Sequence, residues 1–380
     1  MSIMSIIILS FLFNFFDANN QFGLKVFQSL IKEKQVNTFI SPVSIFEALL
    51  MTYNGADGKT AEAFKKSLFL EDLKLDSINK INQKLLRNLK KEKGIELKIA
   101  NGLFGRKGIR FKKDFLKINK DYYYAEIRSL DFNNPKAIKI INNWVKENTK
   151  GKVEKIIDKI DAMAVLYLIN AIYFKGLWEE KFDKKNNFEG DFNLVDGRKK
   201  KVLFMRRDGD FLYYENGKLQ AIYLPYISKK FGFYIFLPKE GYSITQFIND
   251  LNYNDVKNYL NSLSKKEGEI ILPKFKIEYE KSLNEVLKEL NLSIAFNPYE
   301  ADFSKMANVK PYNLFISEVK HKSYLDVSEE GTEAAAVTSV EVALTAVRER
   351  FKMLCDRPFL FLITEKESNL ILFIGVLFEP

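Results

Sequence analysis

The chain has 380 residues, 47% of them hydrophobic and 14% aromatic, which is ample for a large core and far from a disordered composition. Its formal charge is +10; a single cysteine, Cys355, excludes any intramolecular disulfide, and a single histidine, His321, excludes a metal site built from several histidines. No Pro/Gly/Ser-rich linker, low-complexity tract or internal repeat divides it, so one continuous domain is expected.

Residues 1–16, MSIMSIIILSFLFNFF, carry no charge and are almost wholly apolar. They read as a signal peptide and hence as secretion, although the positive n-region is missing and no Ala-x-Ala cleavage site is evident; a buried first helix or a misplaced start codon are the alternatives, and the cytoplasm is the alternative compartment. From Asp17 the text turns helical, with Phe22, Val26, Phe27 and Leu30 at three- and four-residue spacing. Phe39 to Pro42 reads as a short strand and Ser44 to Asn54 as a buried helix ended by Gly55. Further helices are expected over Ser77 to Lys91 and Lys136 to Asn148. Strands dominate thereafter: Val165 to Phe174, Lys218 to Pro225, Phe231 to Pro238, Glu269 to Glu278, Phe359 to Thr364 and Leu370 to Phe378. Helices early and strands late, without a regular βαβ alternation, favour α+β over a doubly wound α/β fold.

Several chemistries drop out. Gly58-Lys59-Thr60 resembles the end of a phosphate-binding loop, but Tyr53 stands where that loop needs glycine, and a helix precedes it rather than a strand. Neither an HExxH zinc motif nor a G-x-S-x-G elbow occurs. A Cys355 nucleophile with His321 as base is formally possible, yet Cys355 precedes an apolar strand and nothing beside it would depress a thiol pKa. The chain reads as no enzyme and needs no cofactor. Basic runs such as Lys84, Arg87, Lys90 and Lys91 suit a solvated helix face; they accompany no nucleic-acid module.

One late segment is unusual. In 329–344, EEGTEAAAVTSVEVAL, period-two reading puts Thr332, Ala334, Ala336, Thr338, Val340, Val342 and Leu344 on one face without a charge. Glu333 and Glu341 fall on the other. The segment suits a strand buried on one side, but its alanine run and charged flank also permit a helix or a mobile loop.

That segment resembles the hinge of the reactive-centre loop of an inhibitory serpin, and it lies about fifty residues from the C-terminus, as in that family. Other serpin-like motifs stand in the family's order: NTFISPVSI from Asn37, NAIYFKGLW from Asn170, LPKF from Leu272, ADFS from Ala301 and RPF from Arg357. The likeness spans residues 17–380 and implies a single α+β domain of about nine helices and three β-sheets, with an exposed loop at about 329–350. It implies a serine protease inhibitor acting as a suicide substrate. The protease attacks the loop and forms an acyl-enzyme; the freed loop inserts into the main sheet and the trapped protease cannot deacylate. The alternative is a non-inhibitory serpin with a carrier, chaperone or storage role. The resemblance makes Glu329, Gly331, Thr332, Ala334, Ala335 and Ala336 the hinge. It places Ser41, Ser44, Asn170 and His321 in the family's "shutter" and Trp178 in its "breach". Counting sixteen residues on from Glu329 sets the attacked bond between Thr345 and Ala346, which suggests an elastase-like or subtilisin-like target. A register using Arg348 or Arg350 would suggest a trypsin-like one. Lys84, Arg87, Lys90 and Lys91 fall where some serpins bind a polyanion. The expected actor is a monomer.

Overall fold

The computed structural model describes residues 3–89, 92–161, 163–308, 313–332 and 350–380, with the side chains of 3–13 and of Glu33 left aside. Among these residues nine α-helices and fifteen strands form one α+β domain. The helices used below are α1 (Ile3–Glu33), α2 (Pro42–Tyr53), α3 (Gly58–Ser67), α4 (Leu75–Leu89), α5 (Lys113–Tyr123) and α6 (Lys136–Asn148). The strands are β1 (Thr38–Ile40), β2 (Ile95–Arg106), β3 (Glu126–Leu130), β4 (Leu166–Leu177), β5 (Phe188–Asn193), β6 (Lys199–Glu215), β7 (Leu219–Pro225) and β8 (Phe231–Pro238). They continue as β9 (Ser264–Pro273), β10 (Phe275–Ser282), β11 (Glu318–Ser328), β12 (Gly331–Thr332), β13 (Phe351–Leu354), β14 (Phe359–Glu365) and β15 (Leu370–Leu377).

Two hydrogen-bonded sheets result. The main sheet runs β10-β11-β12-β4-β2-β3, and a nine-stranded sheet runs β1-β15-β14-β8-β7-β6-β9-β13 with β5 on the side of β6. Two of the three expected sheets are therefore continuous, because the 17-residue β6 pairs with β5 near its start, β9 along its length and β7 at its end. Helix α2 packs against β4 and β2 on one side and β15 on the other, which buries all twelve of its residues. Its start is set locally: Ser41 is extended, its Oγ accepts the amide of Ser44 at 3.3 Å, and Pro42 occupies the first helical position, where no amide is needed.

Three expectations shift. The first helix begins at Ile3 rather than Asp17 and runs unbroken into the core. Phe39 to Pro42 is a strand only to Ile40, since Ser41 and Pro42 already open α2. Glu269 to Glu278 is two strands in different sheets, broken at Pro273 and Lys274; the proline has no amide to continue the ladder, and the Lys274 amide turns to Leu203 O at 2.9 Å. The alternating β6 and the apolar β2 form further strands that the hydrophobic pattern had not singled out.

Phe15 is 1% exposed and meets the Phe46 ring edge-on at 5.5 Å between centroids, so part of the apolar start belongs to the core. Phe15→Ala is expected to lower the unfolding free energy by about 3–4 kcal/mol, as for other large-to-small changes at fully buried aromatics, read from the urea midpoint.

Candidate functional site

In the lower part of the main sheet β11 and β4 pair directly and in parallel, from Glu318 against Tyr167 to Tyr324 against Tyr173. Above that seam the chain leaves β11, turns at Glu329–Glu330 and starts downwards as β12. Gly331 and Thr332 lie between the two strands: Thr332 opposes Val327 on β11 and Gly176 on β4, and Gly331 opposes Ser328 and Leu177. Two of the residues expected to form the hinge are thus strand residues, and the seam is closed beneath them.

The local chemistry explains this depth. Gly331 has φ +144°, and a Cβ there would sit 2.1 Å from Gly176 O, so only glycine fits. A Cβ on Gly176 would in turn meet the Tyr226 ring at 2.7 Å. Thr332 is fully buried and shares a 2.7 Å hydrogen bond between its hydroxyl and that of Tyr226. The Trp178 ring stacks on Tyr226 at 4.8 Å, and its indole Nε1 donates to Ser328 O at 2.9 Å. Backbone amides of Trp178 and Phe182 donate to Glu330 O and Glu329 O at 3.1 and 3.0 Å. Both glutamates are buried and matched by cations: Glu329 by Lys274 at 3.1 Å, Glu330 by Lys181 at 2.6 Å. Burial acts to raise the Glu329 pKa, but its own amide, Asn187 and Lys274 outweigh it and hold the carboxyl below its ordinary range.

Below the turn, His321 on β11 stands level with Asn170 on β4, and Asn170 with Asn101 on β2. His321 Nδ1 lies 2.5 Å from Asn170 Oδ1, while its Nε2 accepts the Ser41 amide at 3.3 Å. A backbone amide only donates, so Nε2 carries the lone pair and Nδ1 the proton. Asn170 Nδ2 also donates to Ser44 O at 3.0 Å, to Ser44 Oγ and to Asn101 Oδ1 at 2.6 Å. The structure thus brings Ser41, Ser44, Asn170 and His321 into one cluster across the seam and puts Trp178 at the head of it. Complete burial pushes the His321 pKa down to about 3.

Ala334, Ala335, Ala336, Thr345, Ala346, Arg348, Lys90 and Lys91 lie outside the described residues. Arg350 Nη2 donates to Asp208 at 2.8 Å, and its guanidinium forms an ion pair with Glu267 at 3.2 Å. Lys84 and Arg87 both lie on α4, three residues apart, and Arg87 Nε donates to Tyr124 OH at 3.3 Å. Cys355 is fully buried, and burial raises its thiol pKa, so it holds no thiolate at neutral pH. Tyr226, Asn187 and Lys181 are site residues that the sequence did not single out; they reach the site from distant strands and loops. Asn101 and Lys274 did carry a signal, as members of the serpin-like stretches LKIAN from Leu97 and LPKF from Leu272.

The family model described as "Serpin (serine protease inhibitor)" matches residues 17–380, and the chain belongs to the serpin family. The leukocyte elastase inhibitor of Bos taurus is 37% identical over 379 residues, covering 96% of this chain and 98% of that protein. The thermophilic serpin tengpin in its native state superposes with a TM-score of 0.91 at 35% identity, covering 96% of this chain and 94% of the other. Human thyroxine-binding globulin, solved with its hormone, gives 0.90 at 29% identity, covering 97% and 99%.

The His321 environment sets a pH dependence. Below pH 6.5 the unfolded chain takes up a proton that the folded protein refuses until about pH 3, so folded stability falls as pH drops through that window by about 1.4 kcal/mol per unit. Urea titrations at pH 7 and pH 5 should show the wild type losing about 2 kcal/mol more than His321→Gln, which has no imidazole to protonate.

Proposed function

We propose that this serpin inhibits a serine peptidase as a suicide substrate. The observation that carries the reading is β12: two hinge residues already stand between β4 and β11 above a closed seam. The peptidase serine attacks the Thr345 carbonyl, the bond to the Ala346 nitrogen breaks, the new amine leaves with the C-terminal piece, and an ester joins Thr345 to the enzyme. The freed hinge then extends β12 downwards. This replaces a parallel contact with two antiparallel ones, which are slightly more stable per residue, and buries the uncharged face of the loop. Continuing the β12 register one residue at a time brings Thr338 opposite both His321 and Asn170. Its hydroxyl can both donate and accept, so it suits the gap opened between those two side chains. Ala334, Ala335 and Ala336 are small enough to pass. The peptidase travels with Thr345, and deacylation stops once its oxyanion hole and triad are pulled out of order.

Two ion pairs on Arg350 argue against its presentation as the attacked residue, which favours the small side chain of Thr345 and an elastase-like or subtilisin-like target. Similarity to an elastase inhibitor supports the same choice. A carrier role is the second reading, favoured by the likeness to thyroxine-binding globulin. For the compartment, burial of Phe15 supports a chain that keeps its apolar start and works in the cytoplasm over one that sheds residues 1–16 on secretion. Among the described residues no helix is long and apolar enough to cross a membrane.

Incubation with elastase, subtilisin, trypsin and papain, followed by denaturing gels and sequencing of the released peptide, tests the proposal. An SDS-stable adduct and a new N-terminus at Ala346 are expected with elastase or subtilisin. Thr332→Arg would force a cation into a fully buried position, so it should turn the protein into a substrate and raise the inhibitor-to-enzyme ratio needed for full inhibition at least roughly tenfold. Clean loop cleavage of the wild type without an adduct overturns the inhibitory reading and leaves the carrier.

A further inference from the structure

Helix α2 carries a buried carboxylate that the mechanism above does not use. Glu47 is 1% exposed and follows Ser44 by three residues, so the two polar groups lie along one side of the helix, Ser44 against Asn170 on β4 and Glu47 against Asn101 on β2. A carboxylate costs several kcal/mol to bury, and an uncharged residue would pack at that position without this cost. Asn101 Nδ2 donates to Glu47 Oε2 at 3.2 Å.

That contact completes a hydrogen-bond relay. The Ser41 amide donates to His321 Nε2, His321 Nδ1–H to Asn170 Oδ1, Asn170 Nδ2 to Asn101 Oδ1, and Asn101 Nδ2 to Glu47 Oε2. Its first end admits one direction only. A backbone N–H can only donate, which sets the His321 tautomer, the orientation of the two amides after it and Glu47 Oε2 as the acceptor at the far end. Only the His321–Asn170 link crosses the seam between β11 and β4; the other side-chain links lie on the β4 side. A charged acceptor makes a stronger, shorter hydrogen bond, and polarisation passes along a chain of such bonds in a low-dielectric interior.

We propose that Glu47 is a positioning residue for loop insertion: through Asn101 and Asn170 it strengthens the His321 bond that latches β11 to β4, and so slows insertion of an uncleaved loop. The inference rests on the insertion mechanism proposed above, but its first test needs no peptidase. Because His321 is the only histidine, 15N-histidine labelling of the full chain yields one imidazole to observe. In the wild type the proton should reside on Nδ1 and resonate far downfield. In Glu47→Gln the acceptor charge is gone, so that resonance should move upfield, and the half-life of the inhibitory form on heating should fall by roughly tenfold, the scale of a charge-assisted bond made neutral. Asn101→Ala cuts the relay while leaving Glu47 in place and should give the same upfield shift.

A wild-type protein with its imidazole proton on Nε2 overturns the proposal at once. So does a folded Glu47→Gln whose Nδ1–H resonance stays put, or, where that variant does not fold, an Asn101→Ala with an unshifted resonance. Absence of a peptidase adduct with the predicted resonance shifts intact would sink the inhibitory reading alone. An adduct with unshifted resonances would sink only the role of Glu47.

Discussion

Everything distinctive about this molecule depends on one parallel strand contact, between β4 and β11, that stops short of the top of the sheet. A parallel pair in the middle of a sheet whose β10–β11 and β2–β4 ladders are antiparallel is an unusual place for a weak joint. Its upper end is held apart by Gly331 and Thr332, which satisfy the backbone groups that a gap there would orphan. The sheet is therefore complete as it stands, with a short strand at the head of its parallel joint.

Glycines at two positions set the depth of that wedge. Gly331 and Gly176 leave room where backbone meets backbone and backbone meets the Tyr226 ring, and Thr332 then finds the tyrosine hydroxyl. The turn just before it is anchored by buried carboxylates against lysines from two other segments. The carboxylates are buried while the lysines stay about a third exposed, so these pairs do little for net stability, but they define one geometry, because either carboxylate left alone would be far worse. The fold thus keeps Gly331 and Thr332 docked between β4 and β11.

The cluster under the seam works by the same logic in uncharged form. His321 is kept neutral by complete burial and by the Ser41 amide that claims Nε2. Its remaining proton points across the joint at Asn170. Helix α2 and its N-cap supply the Ser41 amide, the Ser44 oxygens and Glu47, so its packing between the two sheets sets where these groups meet β2, β4 and β11.

The sequence by itself determined the α+β class, the single domain, the extent of the family resemblance and the two-faced pattern of residues 329–344, because composition, motif order and period-two alternation are local properties of the text. His321 stood out as the sole histidine and Gly331-Thr332 as a small, uncharged start to a strand. Other features had no local signature. The break at Pro273–Lys274 sends one apolar run into two sheets, and β6 merges two expected sheets, since edge pairing depends on which strand arrives beside it. Phe15 reads as the end of an apolar run, and only the fold sets it edge-on against Phe46. Glu47 reads as one acid in an apolar helix, and Tyr226 as a residue after a proline. Only the tertiary structure brought β2, β4 and β11 into register over α2, and hydrogen bonding between residues 54 to 280 positions apart is decided by that register rather than by sequence spacing.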